Sequence, residues 1–246
     1  MRLRVSHRTA YRFDPPARGV VQSLRMTPSS FEGQRVLGWA VEVPGAVRGA
    51  AFRDGAGDWI DTASLLGPVP AMEVTVAGEV ETSDFSGVVR GHREAVPPMA
   101  YLSPTRMTRA DRGLAELAGD AVEGLGPTLD RAHALAAAVS AAIAYSPGAT
   151  RSATTGAEAL TLGRGVCQDF SHALIAAELT LDIPARYVTG YMLASRPQVI
   201  VSQAQGQGKQ TQEQGQRQCQ AEREGDPPLP ASPDDEASHA WAELWV

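Results

Sequence analysis

The chain has 246 residues and a formal net charge of −6 at pH 7, and 43% of its residues are hydrophobic. This length and composition can bury one sizeable core or two small ones. The acidic balance argues against an electrostatic grip on nucleic acid or on an anionic membrane. The longest nearly apolar stretch, Ala134–Tyr145, is shorter than the roughly 20 residues that a membrane helix needs. The amino terminus lacks the apolar run of a secretory signal, so we expect a cytoplasmic protein with no nucleic-acid or membrane partner.

Hydrophobic and polar residues alternate in several parts of the first 95 residues. Residues 1–13 alternate with a period of two, which is typical of a half-buried strand, and shorter runs follow at 20–26, 39–43 and 72–76. The sequence DGAGD, at Asp54–Asp58, predicts a turn. Because no helical pattern separates these runs, we predict an antiparallel β domain over residues 1–95.

A proline-rich segment, residues 97–104, interrupts this pattern and predicts a domain boundary between residues 95 and 108. Helical periodicity follows in Asp111–Val122 and in Thr128–Ala144. We therefore assign residues 96–246 to a second domain. Three histidines of the two domains are interpreted as structural rather than catalytic: His7, His92 and His133.

Residues 202–232 have a different composition. Nine glutamines lie between Gln203 and Gln220, with almost no apolar residues among them. Such a segment cannot offset the entropy lost on ordering, so we predict a Gln-rich disordered insertion in the second domain. Cys219 lies within this segment and is interpreted as an incidental thiol. A single disulfide between the two cysteines would not hold a chain of this length together, so we expect both thiols to be reduced.

A turn followed by a helix surrounds the other cysteine. Gly163 and Gly165 predict a turn directly before Cys167, and apolar residues then recur at helical spacing from Phe170 to Leu181. This pattern places Cys167 at a helix amino terminus, where unpaired N–H groups and the helix dipole stabilise a thiolate. A small buried residue is the alternative interpretation, and this segment alone leaves both open.

The last ten residues, ASHAWAELWV, supply a histidine. His239, Trp241 and Glu243 alternate with Ala240 and Ala242, which predicts a strand beginning at His239. A cysteine at a helix start followed by a histidine on a strand is the order that thiol acyl-transfer enzymes use, with the imidazole as base and then acid. The combination predicts Cys167 and His239 as catalytic residues.

The segments GVCQDFSHALIAAELTLDIPARYVTGY and ASHAWAELWV resemble the core of bacterial transglutaminase-like proteins, which have a papain-like fold. The amino-terminal MRLRVSHRTAYRFDPPA and the motif RMTP, at Arg25–Pro28, resemble the β-rich domain that precedes this core in one branch of the family. The resemblance implies an α+β fold. An N-terminal antiparallel β domain would be followed by a core in which helices pack on an antiparallel sheet.

The resemblance also implies roles for the two candidate residues. Cys167 matches the nucleophile of the family and His239 its base, so the expected activity is that of an acyltransferase, peptidase or amidase. It would attack an amide of a peptide or protein substrate, form a thioester, and pass the acyl group to an amine or to water. The family Asp that orients the histidine follows on the next strand, beyond Val246. We therefore expect a core truncated at its C-terminus, which is inactive if that Asp is required.

No cofactor or metal is expected. Asp169 and His172 stand two and five residues after Cys167, and side chains at that spacing on a helix do not converge on one ion. Asp169 is instead predicted to pair with Arg186. The main alternative to an enzyme is a non-catalytic binding or scaffold protein with an unreactive Cys167, and a fragment without its own function is a third. The sequence identifies neither a protein partner nor an oligomeric state.

Overall fold

A computed structural model describes residues 1–192, 200–203, 216–223 and 238–246. Its strands are β1 (Arg2–Thr27), β2 (Gln34–Glu42), β3 (Val47–Arg53), β4 (Trp59–Thr82), β5 (Ala144–Tyr145), β6 (Arg164–Gly165), β7 (Ala185–Tyr191), β8 (Ile200–Gln203), β9 (Gln216–Arg223) and β10 (Ser238–Leu244). Its α-helices are α1 (Arg112–Ala121), α2 (Thr128–Ala142), α3 (Gly156–Leu162) and α4 (Cys167–Leu179), and a 3₁₀ turn spans Pro98–Leu102.

The described residues form two compact units. The first contains residues 1–95 and the described part of 191–238, and the second contains residues 96–190 and 239–246. The chain is an α+β protein, as predicted. The division into a domain of residues 1–95 and a domain of residues 96–246 stays a prediction.

The first unit is a single sheet in which the strands run in the order β2-β4-β1-β9-β8, with β3 also paired to β4. β1 and β4 are long antiparallel partners, and the register of the pair shifts between Arg12 and Ala17. The predicted runs 1–13 and 20–26 are thus the two halves of one strand. Their inward-facing side chains form the core of this unit with those of the neighbouring strands: Leu24, Val41, Ala63, Val69, Met72, Val74 and Val76.

The Gln-rich segment differs from its prediction where it is described. Residues 216–223 form β9, which pairs with β1 in the register Leu3 to Arg223, and β8 pairs with β9 in turn. Polar residues are compatible with this position, because the backbone supplies the hydrogen bonds of a sheet whatever the side chains are. The remainder of the segment lies outside the described residues.

The second unit packs four short helices. Asp111 begins α1 by accepting a hydrogen bond from the N–H of Leu114 at 2.9 Å, and Thr155 and Glu158 form a reciprocal capping box on α3. α3 begins directly against α4, since a Cβ at Gly156 would lie 2.7 Å from the backbone of His172 and Ala173. The helices enclose an apolar core: Leu114, Val139, Ile143, Ala159, Ala173 and Ala176. No described helix is both long and apolar enough to cross a membrane.

β7 and β10 form a second, two-stranded sheet. The N–H of Trp245 donates to the carbonyl of Pro184 at 3.0 Å, and the Arg186 guanidinium binds the Glu243 carboxylate at 2.6 and 2.9 Å. The predicted pair of Arg186 with Asp169 is therefore wrong. The reason is geometric: Glu243 lies on the strand beside Arg186, whereas the Asp169 carboxylate is bonded within the turn that begins α4.

Candidate active site

The turn that presents Cys167 is built on Gly163. This residue ends α3 in the left-handed conformation, with φ of +65°, and its N–H donates to the carbonyls of Ala159 and Leu160. A side chain would be strained in that conformation, so glycine is the natural residue at this helix end. The chain then reverses and α4 begins at Cys167, as predicted.

Two hydrogen bonds hold the far side of the turn. The N–H of Ala144 donates to the Gly163 carbonyl at 2.9 Å, and the N–H of Ser146 donates to the Gly165 carbonyl at 2.8 Å. These bonds align the short parallel strands β5 and β6. The loop before Cys167 is thereby fixed to the end of α2 as well as to α3.

Cys167 is a half-buried thiol at the first position of α4, a helix of 13 residues. Its own carbonyl accepts a hydrogen bond from the Ser171 hydroxyl at 2.8 Å, which tightens the first turn. The N–H groups of a first helical turn have no partner within the helix and point past its end. A thiolate at Cys167 would therefore lie in the positive field of the helix dipole.

Asp169 lies in the same turn and is completely buried. Its Oδ2 accepts hydrogen bonds from the backbone N–H of Val166 at 2.7 Å and from the Thr150 hydroxyl at 2.6 Å. The carboxylate also leaves no room for a side chain at residue 165, since a Cβ on Gly165 would lie 2.7 Å from Asp169. Asp169 thus connects the turn, the start of α4 and the loop that carries Thr150.

β7 lies against this end of α4. The ring of Tyr187 lies 5.0 Å from the ring of His172, centroid to centroid. Burial raises the pKa of Tyr187 to about 12, with contributions from the negative charges of Cys167 and Asp169. Burial lowers the pKa of His172, and the Asp169 charge opposes that effect. Tyr187 is therefore neutral at physiological pH and lies within electrostatic range of the thiol.

His239 lies on β10, the strand paired to β7, as the alternation of the last ten residues predicts. The ring of Trp241 is stacked on it at 6.2 Å between centroids. Trp241 also lies over Gly190 of β7, where a Cβ would come 2.8 Å from the indole. The pairing of His239 with Cys167 in catalysis stays a prediction.

Two residues of this site carry no role in the sequence analysis: Thr150 and Tyr187. The sequence did contain a signal for the turn. An acidic residue at the third position of a helix is a capping pattern, and Asp169 is the third residue of α4. Thr150 and Tyr187 reach the site from other elements. Pattern analysis of a single segment does not identify such neighbours.

Two family models match the chain. The model of the bacterial transglutaminase-like N-terminal region matches residues 3–81, and the model of the transglutaminase-like superfamily matches residues 115–246. An uncharacterised protein of Mycobacterium leprae (strain TN) is 31% identical over 214 residues, which cover 81% of this chain and 74% of that protein. A second uncharacterised protein, from Mycobacterium bovis, is 26% identical over 214 residues, covering 80% and 67% of the two chains.

A solved structure has the same fold. The crystal structure of a candidate cysteine protease from Cytophaga hutchinsonii matches with a TM-score of 0.61 and 21% sequence identity, over 78% of this chain and 67% of that one. The resemblance predicted from the motifs is confirmed. The chain belongs to the transglutaminase-like superfamily, with the N-terminal region of the bacterial branch preceding its core.

Proposed function

We propose that this protein is a cysteine enzyme that transfers the acyl group of peptide or protein amides, with Cys167 as nucleophile and His239 as general base and acid. The observation that carries the proposal is the position of Cys167 as the first residue of α4, after a turn fixed by hydrogen bonds on both sides. That position lowers the pKa of a thiol and presents it outside the helix.

The reaction would follow the usual course for a thiolate nucleophile. The Sγ of Cys167 attacks the amide carbonyl, the C–N bond breaks, and the imidazolium of His239 gives its proton to the departing amine. The backbone N–H of Cys167, at the start of α4, would stabilise the oxyanion. An amine or water then attacks the thioester while the imidazole takes its proton, which regenerates the thiolate. The acceptor, and with it the choice between transfer and hydrolysis, stays open.

Two further assignments belong to the proposal. In the family the histidine is oriented by an Asp on the following strand, and the proposed pair consists of a thiolate at Cys167 and an imidazolium at His239. Such a pair is ionised before attack and depends less on a base at that moment. We place the activity in the cytoplasm, which fractionation of cells expressing the native protein would test.

The thiol itself provides the decisive measurement. In a Cys219→Ser background, the rate of alkylation by iodoacetamide as a function of pH reports the pKa of Cys167 alone. We expect a value at least one unit below the ordinary thiol value of about 8.5. His239→Ala should move that value upward, whereas His133→Ala, which removes an exposed histidine on α2, should not. Acylation adds a second readout: a peptide p-nitroanilide should leave a mass adduct on Cys167 that hydroxylamine removes.

An ordinary or slow thiol that is indifferent to His239→Ala, together with no acyl adduct, would contradict the proposal. That result would favour the non-catalytic binding or scaffold protein.

A further inference from the structure

The carboxylate of Asp169 is the best-connected side chain around the nucleophile. It is completely buried, and Oδ2 accepts two short hydrogen bonds, one from the Val166 backbone and one from the Thr150 hydroxyl. Val166 immediately precedes Cys167, so the first of these bonds fixes the peptide that leads into the nucleophile. Hydrogen bonds to a carboxylate are stronger than those between neutral groups.

The packing around Asp169 gives the turn little freedom. A Cβ on Gly165 would lie 2.7 Å from both the Cβ and the Oδ2 of Asp169, so glycine allows the backbone to approach the carboxylate. On the other side, Thr150 belongs to the loop after β5, outside the helices of the core. The acid therefore joins two consecutive positions of the turn, Gly165 and Val166, to a separate segment of the same unit.

The negative charge has an electrostatic consequence. Oδ1 of Asp169 is buried and has no hydrogen-bond partner among the described residues. The charge of the group reaches its neighbours, because Asp169 raises the pKa of Tyr187 and opposes the lowering of the pKa of His172. Asp169 is two residues from Cys167 and would disfavour a thiolate there. The Asp169 charge therefore does not favour the thiolate, and the contribution of the carboxylate to the site is the pair of hydrogen bonds at Oδ2.

We propose that Asp169 is a positioning residue: anchored by Thr150, its carboxylate holds the Val166 N–H and thereby orients the thiol and the backbone N–H of Cys167 toward the substrate. This inference rests on the proposed function of Cys167. It assigns to Asp169 no contact with the reacting atoms. It predicts that Asp169 fixes the turn and that its charge makes the pKa of the Cys167 thiol higher than it would be without the acid, although still below the ordinary thiol value.

Two nearly isosteric variants separate the two effects. Asp169→Asn removes the charge and weakens the acceptor, whereas Thr150→Val removes the anchoring hydroxyl and keeps the charge. Asp130→Asn is the matched control, because Asp130 is also an acid in the first turn of a helix but is exposed. All three are made in the Cys219→Ser background. Cys167 alkylation is followed against pH, and hydrogen–deuterium exchange of the peptide that contains Val166 is followed by mass spectrometry.

We expect Asp169→Asn to lower the Cys167 thiol pKa by about half to one unit, because a nearby negative charge is removed. The same variant should speed exchange at the Val166 amide by about tenfold, which corresponds to the loss of a hydrogen bond to a charged group. Thr150→Val should speed that exchange as well, without lowering the thiol pKa. Asp130→Asn should change neither quantity.

The inference is overturned if Asp169→Asn changes the Cys167 thiol pKa and the exchange rate at the Val166 amide no more than Asp130→Asn does. It is also overturned if Asp169→Asn and Thr150→Val speed exchange equally throughout the second unit, since that pattern means general destabilisation. Should Asp169→Asn not fold, Thr150→Val alone decides, by whether its faster exchange is confined to the turn. Failure of the proposed function is seen separately, with Asp169 intact, as a thiol that does not respond to His239→Ala.

Discussion

An acidic side chain is buried near each end of α4, and the two differ in their hydrogen bonds. Asp169, in the first turn, accepts two hydrogen bonds, and Glu178, in the last turn, is equally buried but has no hydrogen-bond partner for either carboxylate oxygen among the described residues. Burial raises the pKa of Glu178 to about 7, whereas Asp169 lies at the helix amino terminus, where carboxylates are favoured. Complete burial alone therefore does not distinguish the two acids, whereas the hydrogen-bond donors around each carboxylate do.

The difference also follows from position on the helix. The first turn offers unpaired N–H groups to an acid, and the last turn offers only carbonyls, which repel a carboxylate. Glu178 therefore carries an energetic cost that Asp169 avoids, and we expect substitutions of the two acids to have opposite effects on stability.

Asp169→Ala should produce the largest effect. It removes the acceptor for the Val166 N–H and the Thr150 hydroxyl and leaves both donors without this partner, which we expect to lower the free energy of unfolding by about 3 kcal/mol. Urea denaturation at pH 7, followed by circular dichroism, measures the loss. Asp130→Ala, the exposed first-turn counterpart, should change stability by less than about 1 kcal/mol. Equal losses in the two variants would contradict the special role of the buried acid.

Glu178→Leu should act in the other direction. At pH 8 the folded chain holds an ionised, unpaired acid in its interior, so a leucine of similar volume should raise the free energy of unfolding by about 2–3 kcal/mol. The same urea measurement tests this, with Glu116→Leu on exposed α1 surface as the control. A Glu178→Leu variant that is less stable than the native chain would show that the carboxyl group has a partner in solution.

The pH dependence of stability isolates the ionisation of Glu178. The folded-state pKa of about 7 is above the ordinary value of 4.5, so between these values the folded chain holds a proton that the unfolded chain has lost. The contribution of Glu178 to the free energy of unfolding is therefore fully present below pH 4.5. It falls as the pH rises to about 7 and is absent above that pH. Compared with Glu178→Gln, which does not titrate, the native chain should be about equally stable at pH 4.5 and about 3 kcal/mol less stable at pH 8. A stability difference that does not change with pH would contradict the raised pKa.

The sequence predicted the elements of the site better than their connections. Periodicity identified α4, its start at Cys167 and the strand that carries His239, because each signal lies within a few consecutive residues. It did not identify Thr150 as the partner of Asp169, since that bond joins residues 19 positions apart. The incorrect pair of Asp169 with Arg186 has the same origin: complementary charge was visible in the sequence, but the strand pairing that gives Arg186 to Glu243 was not.

The β unit shows a similar limit. Alternation predicted strands in residues 1–13 and 20–26, but hydrophobic pattern could not show that both belong to β1 and pair with the same partner, β4. Composition suggested disorder for residues 216–223, yet the backbone of a polar segment can pair within a sheet. Local pattern indicates the type of an element, whereas its partner depends on contacts distant in sequence.

The two glycines before Cys167 allow the smallest predicted effects to be compared. Gly165→Ala places a Cβ 2.7 Å from Asp169 and should lower the free energy of unfolding by about 2 kcal/mol, because the carboxylate cannot move without giving up its two hydrogen bonds. A Cβ on Gly163 would meet nothing closer than 3.8 Å, so the only cost of Gly163→Ala is the strain of its positive φ. We expect this variant to lower the free energy of unfolding by about 1 kcal/mol. Urea denaturation is then repeated on double variants that combine each glycine substitution with Asp169→Ala. The effect of Gly165→Ala should shrink in part when Asp169 becomes alanine, since the carboxylate is removed and only the contact with the Cβ of residue 169 remains, whereas that of Gly163→Ala should remain additive. Additivity at Gly165 would show that the turn, and not the acid, limits the space there.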